Sequence, residues 1–270
     1  MSGKERADVA LVRCGLAESR EKAQAQIMAG LVFAGLRKIQ KPSDTVGEIE
    51  QLTVRGSAHP FVSRGGLKLQ KALDAFDADV NGVVAMDIGA ATGGFTDVLL
   101  RHGAAHVYAI DVGYGQLDWE LRNDPRVTVM ERTNARYLQP EQFDERPALT
   151  VMDVSFISIR LILPVAAGIM GESGRFFTLI KPQFEAGRDR VGKKGVVRDP
   201  AVHQAILEEI VDFTPGFGYQ VLGLTFSPIT GPEGNVEFLA HIAPRRETSP
   251  VLTRENIKKV VDEAHFMLKK

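Results

Sequence analysis

VVAMDIGAATGGFTDVLL, residues Val83 to Leu100, joins an apolar, strand-like run to a glycine-containing turn and then to a helical pattern. In open α/β sheets, ligands lie beyond the carboxyl ends of the strands, where such a turn lets them approach the backbone. The turn therefore predicts a ligand site. A simple strand-to-helix connection is the alternative interpretation when the turn is considered alone.

The chain around this segment repeats the same alternation of strand-like and helical patterns. Near-continuous apolar runs alternate with helical patterns, and the runs are VVAMDIG, HVYAIDV, VTVME, LTVMDVS, RFFTLIKP, YQVLGLTFSP and NVEFLAHIA. Runs of this kind are typical of strands that are covered on both faces of a sheet. Their alternation with helices predicts an α/β fold with a doubly wound, mostly parallel sheet of seven strands.

The first 58 residues follow a different pattern. Helical spacing over Arg6–Leu16 is followed by Ser19, which we expect to cap a second helix that ends at Gly30. Short strand-like pieces and a turn region at Ile39–Gly47 come next. This pattern predicts a small α+β domain. We divide the chain into residues 1–58 for this domain, 59–62 for a linker, 63–246 for the α/β domain and 247–270 for a C-terminal helix.

Composition and charge limit the classes of protein to consider. The net charge of the 270 residues is −1, yet Met1–Lys71 contains 12 lysine and arginine residues against 7 acidic ones. A local excess of positive charge favours a polyanionic partner. The single cysteine, Cys14, excludes an internal disulfide bond, and we expect it in a small core. No signal peptide or membrane-spanning run is evident, so we expect a soluble, cytoplasmic protein with no membrane partner.

The residues near the glycine turn indicate which ligand binds there. The turn Gly89–Gly94 is not a G-x-G-x-x-G motif, because Ala91 occupies the second glycine position, so a diphosphate is not strongly indicated. Asp111 follows Gly89 by about 22 residues, at the end of the next strand, where a carboxylate can accept from both ribose hydroxyls. A nucleoside without a diphosphate therefore fits, and S-adenosylmethionine is such a molecule.

Two further side chains are candidates for the same site. Asp87 is expected to orient the turn or to meet an ammonium group of the ligand, and Asn134 is expected near the adenine edge, with a solvated loop as its alternative. The complete set of predicted cofactor-binding residues is Asp87, Gly89, Ala90, Thr92, Gly93, Gly94, Phe95, Asp111, Val112, Asn134 and Asp153.

Charged residues at the ends of apolar runs suggest a catalytic group. Asp153 and Lys181 end the fourth and fifth predicted strands, Glu237 interrupts the apolar run NVEFLAHIA, and Lys68 follows the linker. A lysine at the end of a buried strand must be solvated or paired. Each residue alone is equally well explained by a surface salt bridge. Together they suit methylation of a ribose 2′-hydroxyl, because a lysine held by acids can remove the hydroxyl proton. No metal-ligand cluster is evident.

These motifs resemble those of the TlyA family. The resemblance covers almost the whole chain and depends on RADVALVRCGLAESREKAQAQIMAGLV in the first domain and on FVSRGGLKL, DIGAATGGFTD, AIDVGYGQL, RNDPRV, ERTNAR, DVSFIS, IKPQFE and GNVEF in the second. It implies an alpha-L RNA-binding domain followed by a Rossmann-like, FtsJ-like methyltransferase domain. The catalytic set of the family falls on Lys68, Asp153, Lys181 and Glu237.

The resemblance also implies an activity and a partner. These are 2′-O-methylation of cytidine in ribosomal RNA with S-adenosylmethionine as the donor, on the large subunit and, as in some members, on the small subunit as well. Some members of the family are named hemolysin A. We identify no segment in this sequence that would be expected to form a pore. The residues predicted to contact RNA phosphates are Arg6, Arg13, Arg20, Lys22, Lys38, Lys41 and Arg64.

Three alternatives remain open on the sequence. A nicotinamide-dependent dehydrogenase would use the same type of sheet, but it needs a turn that binds a diphosphate. A non-catalytic RNA-binding module would have no need of the four charged residues. For the basic residues of the first domain, a solvated helix face is the alternative to RNA binding.

Overall fold

The computed structural model describes residues 4–28, 30–35, 37–47, 52–54, 60–192, 194–246 and 252–268. The chain consists of two compact units, Met1–Pro60 and Phe61–Lys270. Residue 59 of the predicted linker and residues 247–251, 269 and 270 of the predicted C-terminal segment lie outside the described residues. The separate functions expected of the two domains stay predictions.

The first unit packs two helices against short strands. In chain order its described elements are β1 (Lys4–Arg6), α1 (Ala7–Arg13), α2 (Arg20–Met28), β2 (Val32–Ala34), β3 (Arg37–Lys38), β4 (Thr45–Gly47) and β5 (Leu52–Val54). Strand β2 pairs antiparallel with β3 and β5, and β1 pairs antiparallel with β4. The core is small and rich in alanine, and its fully buried side chains include Ala7, Ala10, Leu11, Ala23, Ile27, Val32 and Ile39.

Part of this unit follows the prediction and part does not. Helix α2 begins directly after Ser19, whose Oγ accepts a hydrogen bond from the Lys22 N–H at 3.2 Å, as expected for a cap. Strand β4, however, lies inside the predicted turn region. Its partner β1 is about 40 residues away along the chain, so no local sequence pattern predicts that these two strands pair. Cys14 is exposed at the end of α1, so its expected place in the core was wrong.

The second unit contains the remaining elements. These are α3 (Gly66–Ala75), β6 (Val84–Ile88), α4 (Gly94–Arg101), β7 (His106–Ile110), α5 (Trp119–Arg122), β8 (Val127–Met130), β9 (Leu149–Met152), α6 (Leu163–Met170), β10 (Arg175–Ile180), α7 (Pro182–Glu185), α8 (Pro200–Phe213), β11 (Tyr219–Phe226), β12 (Phe238–Pro244) and α9 (Arg254–Met267).

Strands β6 to β12 form one seven-stranded sheet in the order β11-β12-β10-β9-β6-β7-β8. Strand β12 runs antiparallel to both of its neighbours, and the pairs from β10 to β8 are parallel. The predicted α/β fold with a mostly parallel seven-stranded sheet is therefore confirmed. The strand order reverses between β6 and β9, which makes the carboxyl ends of these two strands the expected ligand site.

Both faces of the sheet are covered. Successive residues of a strand point to opposite faces, so Phe176 packs in one core and Phe177 in the other. Helix α9 buries Ile257, Val261 and Ala264, a stripe at helical spacing, and so belongs to the packed unit. The near-continuous apolar runs of the sequence follow from this two-sided burial.

Helix α8 carries a histidine that is completely buried. Nε2 of His203 lies 3.0 Å from the Val197 carbonyl oxygen, and Nδ1 lies 2.9 Å from Nε2 of His265 on α9. Burial lowers the pKa of His203 to about 4, and the neighbouring His265 adds to this effect. In the unfolded chain a histidine has a pKa of about 6.5. Between these values the unfolded chain binds a proton that the folded chain does not, so stability falls as the pH falls.

We therefore expect His203 to make folding sensitive to mild acid. Lowering the pH from 7 to 5 should reduce the free energy of unfolding of both the wild type and the His203→Gln variant. The reduction should be about 2 kcal/mol larger for the wild type. Urea unfolding followed by circular dichroism at the two pH values measures this difference. His102→Gln, at an exposed position, is the matched control and should behave like the wild type. Equal acid sensitivity of His203→Gln and the wild type would contradict this account.

Candidate active site

The glycine turn after β6 lies against the end of β9. Gly89 has a φ of +85°, and a Cβ at this position would come within 2.6 Å of the Asp153 carbonyl oxygen. The Asp153 N–H in turn donates to the Ile88 carbonyl at 3.1 Å. Only glycine fits this close approach without moving the backbone. The turn and Asp153 are thereby held side by side at the point where the strand order reverses.

Asp111, at the end of β7, fixes the shape of the turn. Its Oδ2 accepts from the Ala91 N–H at 2.9 Å, and its Oδ1 accepts from the Gly113 N–H at 2.7 Å. A carboxylate oxygen has more than one acceptor site, so both oxygens retain capacity for a ligand. Asp111 is thus held in one orientation at the edge predicted for ribose recognition.

A cavity of about 340 Å³ opens beside these groups. Its walls are mostly apolar, with a few polar side chains at defined places, which is the usual character of a small-molecule site. The lining residues are Ile88, Gly89, Ala91, Ile110, Asp111, Val112, Gln116, Thr133, Asn134, Ala135, Asp153, Val154, Ser155, Phe156, Ile157 and Ile162. Five predicted cofactor residues are among them: Gly89, Asp111, Val112, Asn134 and Asp153.

Asp87 lies behind the turn and is completely buried. Its Oδ2 accepts from both the N–H and the hydroxyl of Thr96, at 2.9 and 2.7 Å, whereas Oδ1 has no hydrogen-bond partner among the described residues. Burial raises the pKa of Asp87 to about 7, against the opposing effect of the Thr96 hydrogen bonds. Asp87 therefore ties the start of α4 to β6 and keeps one buried acceptor unused.

The structure places the other predicted turn residues away from the lining of the cavity. Ala90 and Phe95 are buried in the core between the sheet and α4. A Cβ on Gly93 would meet Leu121, and a Cβ on Gly94 would meet Ser63 and the backbone of Gly66. The carbonyl of Thr92 accepts from the Asp118 N–H. In this arrangement the two glycines serve close packing. Ala91, which was not in the predicted cofactor-binding set, lines the cavity.

Four charged side chains from distant parts of the sequence meet next to the cavity. Nζ of Lys68 lies 2.6 Å from Glu237 Oε2 and 3.3 Å from Asp153 Oδ2, and Nζ of Lys181 lies 2.5 Å from Asp153 Oδ1. Glu237 is completely buried, and the two lysines are less than one-tenth exposed. Asp153 thus bridges the two ammonium groups, and the predicted catalytic residues are brought together.

The strand register explains this convergence. Ile180 of β10 is paired with Phe238 of β12, so Lys181 follows one strand where Glu237 precedes the other. Asp153 directly follows β9, the parallel neighbour of β10. The sequence pattern placed Glu237 within a strand, but the strand begins one residue later, at Phe238. Glu237 therefore lies at the start of β12 and at the same edge of the sheet as the other three residues.

The two lysines have different surroundings. Burial lowers the pKa of Lys68, but the two carboxylates outweigh this effect and the pKa is raised. Lys68, in the first turn of α3, therefore remains an ammonium ion. Of these carboxylates Lys181 forms an ion pair only with Asp153, and its described side-chain hydrogen bond is donated to the Ser155 hydroxyl at 3.0 Å.

The predicted RNA-binding residues of the first unit are mostly engaged with acids. Arg6 and Arg20 both contact the buried Asp8 at 2.9 Å, and the Arg6 hydrogen bond holds the pKa of this carboxyl well below its usual range. Arg13 pairs with Glu5 and Lys22 with Glu18. The side chains of Arg6 and Arg20 remain about half exposed, and Lys38 and Lys41 are exposed.

Arg64 belongs to the second unit, where its guanidinium donates to the Thr230 carbonyl at 2.8 Å. Thr230 precedes Gly231, whose missing side chain makes room for the Glu237 carboxylate. In the described ranges, no group of three or more His, Cys, Asp or Glu side chains is arranged to hold a metal ion. Nor does any helix there have the length and apolar character to cross a membrane.

Comparisons with known proteins agree with this geometry. The FtsJ-like methyltransferase family model matches residues 61–243. YqxC of Bacillus subtilis, provisionally named an rRNA methyltransferase, is 51% identical over 99% of this chain and 96% of its own length. The 16S/23S rRNA (cytidine-2′-O)-methyltransferase TlyA of Mycobacterium tuberculosis is 44% identical over 98% of each chain.

A solved structure supports the same grouping. A protein from Streptococcus thermophilus with a provisional hemolysin name aligns with a TM-score of 0.77 and 44% identity, over 99% of this chain and 98% of its own. The family model spans more than half of the chain, and the relatives match it over nearly their full length. The chain therefore belongs to the FtsJ-like methyltransferase family and, within it, to the TlyA proteins.

Proposed function

We propose that this chain transfers a methyl group from S-adenosylmethionine to the 2′-hydroxyl of a cytidine in ribosomal RNA. The observation that carries the proposal is the meeting of Lys68, Asp153, Lys181 and Glu237 beside the cavity at the carboxyl edge of the sheet. Lysines and acids in this arrangement suit proton removal from a weakly acidic hydroxyl.

The cavity fits S-adenosylmethionine better than a dinucleotide. In this proposal Asp111 accepts from the ribose hydroxyls and Asn134 meets the adenine edge. Both residues line the cavity, and the apolar walls of Ile110 and Ile162 suit the flat base. The described lining includes no lysine or arginine to balance a diphosphate. The N-terminus of α4, a usual phosphate site, is packed against α3 through Gly94. Asp87 is completely buried and does not line this cavity, so its proposed role is to hold the turn against the start of α4.

The proposed chemistry assigns a task to each charged residue. When bound, S-adenosylmethionine supplies a methyl group on a sulfonium sulfur, which is already a good leaving group. Lys181 accepts the proton of the ribose hydroxyl, and Asp153 orients this lysine from 2.5 Å. Lys68, held as a cation by Glu237 and Asp153, stabilises negative charge that develops on the ribose oxygen. The remaining requirement is alignment of the hydroxyl oxygen with the methyl carbon.

The proposed substrate is supported by the relatives and by the first unit. The named activity of TlyA from Mycobacterium tuberculosis is cytidine 2′-O-methylation of 16S and 23S rRNA. We accordingly propose large-subunit RNA as the substrate, with small-subunit RNA as a second target, and the cytoplasm as the place of action. The proposed phosphate contacts are Arg6, Arg13, Arg20, Lys22, Lys38, Lys41 and Arg64. Those paired with acids would exchange a carboxylate for a phosphate.

The substrate can be identified by mapping ribosomal RNA by mass spectrometry in cells with and without this protein. We expect the loss of at least one cytidine 2′-O-methyl group in its absence, and its return when the wild-type protein is restored. Restoration with the Lys181→Ala variant should not return the methyl group. Identical methylation maps with and without the protein would contradict the proposed substrate.

Ligand-induced stabilisation separates the methyltransferase from a dehydrogenase. S-adenosylhomocysteine at 100 times its dissociation constant should raise the free energy of unfolding by about 2.7 kcal/mol, whereas NAD should raise neither this energy nor the melting temperature. Asp111→Asn should weaken S-adenosylhomocysteine binding about 10-fold, because one charged acceptor is lost. Asp144→Asn, at an exposed position, is the matched control. Stabilisation by NAD alone would overturn the choice of cofactor.

Catalysis can be separated from binding at Lys181. The Lys181→Ala variant should bind S-adenosylhomocysteine and RNA like the wild type, while its methyl-transfer rate falls by about 100-fold or more, because the proton acceptor is gone. Lys258→Ala, on the exposed face of α9 where Lys258 pairs with Asp262, serves as the matched lysine control. Full activity of Lys181→Ala would remove this residue from the mechanism and favour a non-catalytic RNA-binding module.

A further inference from the structure

Ser155 is the neutral partner in the charged cluster. It follows Asp153 by two residues, lines the cavity and accepts a hydrogen bond from Lys181 Nζ at 3.0 Å. Lys68, by contrast, is held by two carboxylates. Ser155 was not among the residues singled out by sequence, because a serine in a loop after a strand has no distinctive pattern. Its contact with Lys181 is the feature that distinguishes the two lysines.

The contact with Ser155 matters because the number of hydrogens on Lys181 Nζ determines where its lone pair can lie. A lysine ammonium carries three N–H donors, whereas the neutral amine that accepts a proton carries two N–H groups and one lone pair. Lys181 has two close oxygen partners among the described residues, Asp153 Oδ1 at 2.5 Å and Ser155 Oγ at 3.0 Å. If one hydrogen of the neutral amine is donated to Ser155 and the other lies on the side of the Asp153 carboxylate, the lone pair takes the remaining corner of the nitrogen tetrahedron.

We propose that Ser155 is a positioning residue that, together with Asp153, fixes the direction of the Lys181 lone pair toward the ribose hydroxyl. This inference rests on the proposed methyl transfer. In that reaction the ribose O–H bond breaks and its proton forms a third N–H bond on the lone pair of Lys181. The electron pair left on the ribose oxygen forms the bond to the methyl carbon, and the pair of the broken carbon–sulfur bond stays on sulfur.

The loop that carries Ser155 is fastened to the segment that carries Lys181. Glu185, in the short helix α7 directly after Lys181, accepts from the Ser158 hydroxyl at 2.6 Å and from the Ile159 N–H at 2.9 Å. Glu185 is itself buried. The serine and the lysine are therefore held at a set distance by a connection that involves neither of their side chains. Such a connection suits a group whose task is orientation.

The backbone beside Ser155 is strained in a way that fits a functional loop. Phe156 has a φ of +65°, a left-handed conformation that is costly for a bulky residue. The side chain is 91% exposed, and its ring centroid lies 5.1 Å from that of Phe184 in α7. Little packing therefore compensates for this strain, and uncompensated strain of this kind is concentrated at ligand and catalytic sites.

The test compares Ser155→Ala with Ser155→Thr in full-length protein. Initial rates of methyl transfer are measured on ribosomal subunits from cells that lack the protein, with separate kcat and KM values for the donor and the RNA. S-adenosylhomocysteine binding is measured by calorimetry, which does not depend on activity. Ser173→Ala is the matched control, because Ser173 is exposed and lies just before β10, at the opposite edge of the sheet.

We expect Ser155→Ala to lower kcat about 10-fold, the effect of losing one hydrogen bond to a charged or reacting group. Both KM values and S-adenosylhomocysteine affinity should stay within about twofold of wild type, because only the orientation of Lys181 changes. Ser155→Thr keeps the hydroxyl and should recover most of the rate. Ser173→Ala should match the wild type throughout.

Two results would overturn the inference while leaving the proposed function intact. One is an unchanged kcat for Ser155→Ala. The other is weaker S-adenosylhomocysteine binding with kcat unchanged at saturation, which would make Ser155 a cofactor contact. The wild type and Lys181→Ala are measured in the same assay. If the wild type transfers no methyl group to either subunit, the proposed function fails and the inference fails with it.

Discussion

The arrangement of the site depends on one carboxylate that serves two buried ammonium groups. Asp153 lies between Lys68 and Lys181 and contacts each through a different oxygen. A buried ammonium without a partner costs several kcal/mol. Lys181 therefore depends on Asp153, its carboxylate partner among the described residues, whereas Lys68 is held by Glu237 as well. The strand order reverses beside Asp153, and the glycine turn presses against its carbonyl. Charge pairing and sheet topology therefore impose the same location on the cavity and on the cluster.

The strands and the charged cluster could be predicted from the sequence because each has a local signal. A strand that is buried on both faces must be apolar throughout, and a charge at its end, as at Lys181, is conspicuous against that background. The pairing of β1 with β4 could not be predicted in this way, because three-residue strands carry little pattern and their partner is remote in sequence. Ile162 and Ser155 were missed for a related reason, since both lie in the connection from β9 to α6 and their place in the cavity wall depends on the path of that connection.

The glycines of the turn illustrate how one motif combines two tasks. Gly89 allows the chain to pass close to Asp153 and lines the cavity. Gly93 and Gly94 have the same appearance in the sequence, but they admit Leu121 and the start of α3. Of these two, Gly94 lets α3 come close to α4, because α3 begins at Gly66, and Lys68 lies in the first turn of α3. The charged cluster therefore depends on the close packing of α3 against α4 as well as on the positions of the strand ends.

The balance of charge in the cluster has a consequence for how a ligand is received in the cavity. Two ammonium and two carboxylate groups cancel one another, so the cluster has no net charge that would act on a distant ligand. Each separate charge acts only over the few ångströms at which a ligand group approaches it. The cluster therefore contributes little to drawing a ligand toward the protein and much to deciding how the ligand lies once it has arrived.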